Sequence, residues 1–84
     1  MFIAYVLKSK IAKKSYVGLT NNIERRLKEH NSGKHFYTKR YKPWEIIHIE
    51  KFNTFEEARD REKFLKSTSG RRFLKKLFDS LNLN

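Results

Sequence analysis

Two polar residues stand on a helix face where apolar ones belong. In the run YVGLTNNIERRLKEH, residues 16–30, Arg26 and His30 flank the apolar positions Ile23 and Leu27. At about 100° per residue, Leu27 lies about 40° to one side of Ile23, and Arg26 and His30 lie about 60° and 20° to the other. Arg25 points away, about 160° off. A second helix repeats the pattern: Phe55, Ala58 and Leu65 share a face, and Glu62 falls within about 20° of Phe55. An arginine fork suits a phosphate. A carboxylate holds a hard divalent cation such as Mg²⁺, and a tyrosine or histidine moves protons. With Tyr5 or Tyr16 added, these are the parts for cleaving a phosphodiester with one metal ion. Each part alone has a plainer reading. Arg26 can lie flat on apolar surface with its head in water. Glu62 can be paired with Arg59 or Lys63, since a buried carboxylate is costly unless paired or metal-bound.

The elements that must position these residues are legible in outline. Phe2-Ile3-Ala4-Tyr5-Val6-Leu7 is apolar, β-branched and aromatic, as in a strand. The basic stretch 8–14 suits a hairpin loop, and Ser15 to Leu19 the return strand, with Gly18 marking a bulge or a close approach. Asn21 or Asn22 caps the next helix; with Asn21 as cap, Glu24 completes a capping box. Asn31-Ser32-Gly33 ends it. Residues 34–43 read as a basic, aromatic loop, and Trp44 to Glu50 as a third strand. Thr54 and Glu57 form a second capping box for a helix to about Ser67. Ser69-Gly70 breaks the chain before a third helix over Arg71 to Phe78, and 79–84 read as a frayed tail. The order ββαβαα predicts a single α+β domain over 1–84, with a small three-stranded antiparallel sheet and flanking helices.

Composition narrows the partner. The chain has 84 residues and a net charge of +11, from 20 Lys+Arg against 9 Asp+Glu. Such a field favours nucleic acid first and an anionic membrane second. With no cysteine, neither a disulfide nor a thiolate metal site is available. No apolar run approaches the ~20 residues of a membrane span, and no signal peptide is apparent; a cytoplasmic location is expected. Lys34, Lys39, Arg40 and Lys42 interleave with Phe36, Tyr37, Tyr41 and Trp44, so the loop can steer a backbone and stack on bases, or its aromatics can plug the core. Arg71 and Arg72, with Lys75 and Lys76, offer a further basic face. His35 and His48 have no partner at metal-ligand spacing.

The sequence resembles the GIY-YIG nuclease superfamily over roughly residues 2–78. Ile3-Ala4-Tyr5 and Tyr16-Val17-Gly18 match its two signature tripeptides, the first through its tyrosine alone. Arg26, His30 and Glu62 match the family's catalytic arginine, a histidine-or-tyrosine position and the metal-binding glutamate. The short form looks most like small stand-alone bacterial members related to the nuclease domain of the excision-repair endonuclease. The resemblance implies a DNA endonuclease, with DNA repair as its setting and branched or damaged DNA as candidate substrates. It implies one Mg²⁺ or Mn²⁺ on Glu62, water oriented by Tyr16 and Tyr5, Arg26 on the phosphate and His30 assisting. Leu19 replaces the lysine some members carry there. The alternative is a non-catalytic, basic nucleic-acid-binding module of the same fold.

Overall fold

A computed structural model describes residues 1–82. The elements are β1 (Phe2–Ser9), β2 (Ser15–Thr20), α1 (Ile23–Ser32), α2 (Phe36–Lys39), β3 (Trp44–Phe52), α3 (Phe55–Lys66) and α4 (Thr68–Ser80). The strands form one antiparallel sheet in the order β2-β1-β3. This is the expected α+β architecture.

The unbroken apolar run of β1 is explained by its central place, since a strand buried on both faces need not alternate. Residues 3–9 are all buried. Ala4 and Val6 pack with Val17, Leu65 and Leu74, on the face covered by α3 and α4. Ile3, Tyr5 and Leu7 pack with Trp44 on the opposite face, against Ile23 and Leu27 of α1. β2 and β3 are the edges.

Several local expectations change. Asn22 caps α1, its side chain accepting from the Arg25 amide at 3.0 Å, so Glu24 sits one position early for a capping box. Thr54 caps α3 as expected, accepting from the Glu57 amide at 3.2 Å. The loop at 34–43 contains the four-residue helix α2, tied down because the Trp44 indole donates to the Thr38 carbonyl at 2.7 Å. Trp44 is thereby core, 2% exposed, whereas Phe36 is 76% exposed. β3 runs on to Phe52, which pairs with Phe2.

Of the two glycines outside the α1 cap, Gly18 marks the expected close approach, whereas Gly70 does not break the helix. The bulge lies in the β1–β3 pairing, between Val6 and Leu7, and not at Gly18. A Cβ on Gly18 would instead overlap the Tyr5 phenol, its cross-strand partner. Gly70 is inside α4, whose break from α3 falls at Ser67. The Ser67 hydroxyl accepts from the Gly70 amide at 3.2 Å. A Cβ there would overlap the Phe64 carbonyl and Leu65 Cα, so Gly70 lets the two helices meet closely. Asp79 and Ser80 are helical rather than frayed; residues 83 and 84, the end of the expected tail, lie outside the described residues.

Candidate functional site

The bare backbone at Gly18 lets the Tyr5 ring lie across β2 and reach α1. Its Oη lies 2.9 Å from His30 Nε2 and accepts from Arg26 Nε at 3.3 Å. On the other side of the imidazole, His30 Nδ1 lies 3.0 Å from Thr38 Oγ1, which lies 3.5 Å from the His35 carbonyl. Arg26 can only donate to Tyr5, and the Thr38 hydroxyl donates to the His35 carbonyl. The arrangement that gives every proton of the line an acceptor then has Tyr5 donating to His30 Nε2 and His30 Nδ1–H donating to Thr38, the Nδ1–H tautomer.

Tyr5, His30 and Thr38 are fully buried. Burial is the chief influence on both titrating groups. It raises the Tyr5 phenol to about 12 despite the opposing hydrogen bond from Arg26. It lowers the His30 imidazole to about 4, helped by His35 and Arg26. Both are neutral at pH 7. Arg26 is half-buried and doubly held, donating through Nη1 to Glu29 at 3.0 Å as well as through Nε to Tyr5. Its hydrogen bond and charge hold the Glu29 carboxylate below its usual range. Tyr16 is half-buried, with its ring 4.7 Å from His30 and 6.3 Å from Tyr5, centre to centre.

Four of the five expected catalytic residues thus form one cluster. Glu62 stands apart, on α3 against the opposite face of the sheet. It is 7% exposed. Its Oε1 accepts from Arg59 at 3.2 Å and its Oε2 from Lys66 at 3.0 Å. Its charge is among the influences raising Tyr5, the weakest of them, so it stands within electrostatic reach of the cluster. Among the described residues no group of three or more His, Cys, Asp or Glu gathers as a metal cage.

The expected binding cations separate. Arg71 lines a groove of about 670 Å³ with Lys13, Lys14, Lys66 and Lys75. Lys34, Lys39, Arg40, Lys42 and Arg72 are exposed outside it. Sequence reasoning missed Thr38, Glu29 and most of the groove. Lys75 shares with Arg71 the basic face expected of the last helix; Lys13, Lys14 and Lys66 join them only in the folded chain. Thr38 had no signal, because its contact depends on where α2 docks. His48, the other histidine without a sequence partner, bonds Glu50 at 2.8 Å, and Arg61 joins the same carboxylate at 2.9 Å.

The fold and cluster define a class: a small α+β domain that gathers tyrosine, histidine and arginine at the β2 edge of a three-stranded sheet. The profile of the GIY-YIG catalytic domain matches residues 1–77, and the chain belongs to that nuclease family. A UPF0213 protein of Syntrophus aciditrophicus is 43% identical over 56 residues, covering 64% of each chain. One from Clostridium perfringens is 39% identical over 67 residues, 79% of this chain and 71% of its own. The chain thus spans less than two thirds of the length of the first of these relatives. The solution NMR structure of a UPF0213 protein from Bacillus halodurans superposes with a TM-score of 0.53 at 32% identity. That match covers 92% of this chain and 85% of the other.

Proposed function

We propose that this chain is a metal-dependent DNA endonuclease of the cytoplasm that hydrolyses phosphodiester bonds. The observation that carries the reading is the unbroken line from Arg26 through Tyr5 and His30 to Thr38, in a member of a nuclease family. Arg26 binds the phosphate. Nε and Nη1 are engaged internally, and Nη2 makes no hydrogen bond among the described residues, so the fork is pre-aimed with donors to spare. Tyr16, the more accessible phenol, orients the attacking water. Tyr5 and His30, both neutral, hold Arg26 without competing charge; His30 is a positioning residue, since it is buried and acts through Tyr5.

Glu62 would hold the divalent ion. A single carboxylate fits Mg²⁺ or Mn²⁺, which keep several waters and complete their shell with substrate phosphate, better than it fits an all-protein cage. Such an ion, when bound, stabilises charge on the phosphate and the leaving oxygen. Arg59 and Lys66 neutralise the carboxylate otherwise and must yield it. The exposed cations Lys34, Lys39, Arg40, Lys42, Arg71 and Arg72 support contact with the DNA backbone.

The test is nicking of supercoiled plasmid, then of branched, flapped and damaged DNA, with Mg²⁺ or Mn²⁺. Arg26→Ala and Glu62→Gln are each expected to lower the rate about 10²- to 10³-fold, the usual cost of a lost transition-state contact. Nicking that Glu62→Gln leaves unchanged would remove the metal role. The second reading, a binding module that does not cut, is favoured by the full engagement of Glu62 with Arg59 and Lys66. It predicts salt-sensitive binding with no metal-dependent product.

A further inference from the structure

The groove beside β2 combines two surfaces. Its charged side chains are Lys13, Lys14, Lys66, Arg71 and Lys75, with no acidic residue in the lining. Beside them Tyr16 and Phe78, both half-buried, present aromatic surface, with Ser15 also in the lining and the buried core residues Val17, Leu65 and Leu74 as the floor. Tyr37, 39% exposed, also lines it, with its ring 6.1 Å from Tyr16. The groove therefore runs up to the catalytic cluster.

We propose that this groove holds a single, unpaired nucleic-acid strand, phosphates on the five cations and bases against Tyr37, Tyr16 and Phe78. The inference rests on the reading above that the chain binds nucleic acid, and it specifies the form of the substrate. A duplex stacks its bases inside and presents its charged backbone, so it would meet the cations but leave the aromatic surface facing phosphate. An unpaired strand offers both chemistries at once, and aromatic side chains stack on any base without reading sequence. An acidic peptide matches the cations but not the aromatic side chains. The strand would reach Arg26 past Tyr16, which lines the groove and touches the cluster.

The experiment is fluorescence anisotropy without divalent ions. The probes are a labelled DNA strand of about 12 nucleotides, its RNA counterpart, the blunt DNA duplex and polyglutamate. The single strand is expected to bind at least about tenfold tighter than the duplex or polyglutamate. Tyr37→Ala should weaken strand binding about 5- to 100-fold, the cost of one lost stack, and change duplex binding little. Arg71→Ala and Lys75→Ala, at exposed positions that leave folding intact, should each lower the log–log salt slope for the strand by about 0.7. DNA and RNA arms of equal affinity, or a preference between them, both uphold the groove and tell which strand it takes. Duplex or polyglutamate binding as tight as the strand, or strand affinity untouched by these variants, would overturn it. If the strand binds as expected but Arg26→Ala and Glu62→Gln do not alter nicking, the nuclease reading fails and the groove stands. If those two abolish nicking while the groove variants do nothing, the groove alone falls.

Discussion

His30 shows what the fold does to a single residue. Its neighbours leave it no solvent and one consistent proton placement, on Nδ1 toward Thr38. Thr38→Val removes that acceptor while keeping the shape. The proton is then expected to move to Nε2, where it points at Tyr5 and reverses the phenol, weakening the hold on Arg26. Long-range ¹H–¹⁵N spectra should show the exchange of tautomer, and cleavage should fall about tenfold or more, as for other misplaced proton donors. The same burial sets a pH dependence. The folded His30 value, about 4, lies below its ordinary 6.5. Between these values the unfolded chain takes up a proton that the folded chain refuses. This contribution is complete above about pH 6.5 and is lost as pH falls toward 4, on the order of 3 kcal/mol in all. Urea midpoints should drop from pH 7 to pH 5 in the wild type and drop less in His30→Gln. Residue type and helical spacing made Arg26 and His30 legible. Glu29 had a signal in its spacing, three residues from Arg26; Thr38 had none, because its contact depends on packing.

At the scale of elements, two glycines decide how closely backbones and rings approach. Gly18 faces Tyr5 across the β1–β2 pair, and the phenol occupies the space a side chain would take. Gly18→Ala must push aside a ring that is fully buried. The expected cost is about 1–3 kcal/mol, read as a lower melting temperature. Cleavage should fall further than the stability loss explains, since the displaced phenol no longer holds Arg26. A Gly18→Ala protein that nicks DNA at the wild-type rate would separate Tyr5 from the site. Gly70 looked like a helix breaker because glycine is read locally as one. Its actual reason is the approach of α4 to α3, while the polar cap Ser67 makes the break. Likewise α2 has too little hydrophobic pattern to announce itself in four residues, and its docking through Thr38 and Trp44 is tertiary.

At the scale of the whole molecule, a charge of +11 on 84 residues works against compactness. Screening should relieve this self-repulsion. The melting temperature is expected to rise between 0.01 M and 1 M NaCl, where the screening length shrinks from about 30 Å to about 3 Å. A melting temperature that falls over this range would mean that ion pairs such as Arg61 with Glu50 outweigh the repulsion. No helix among the described residues is long and apolar enough to cross a membrane. The sequence by itself determined the α+β class, the three strands, the two main capped helices and the family. Those depend on periodicity, capping chemistry and motif spacing, all local along the chain. Only the tertiary structure decided that Tyr5 reaches over Gly18 to His30 and that Arg71 and Lys75 share a groove with the hairpin lysines. Those relations join residues far apart in the chain, and they arise only when both faces of β1 are buried and the helices are fixed on either side of it.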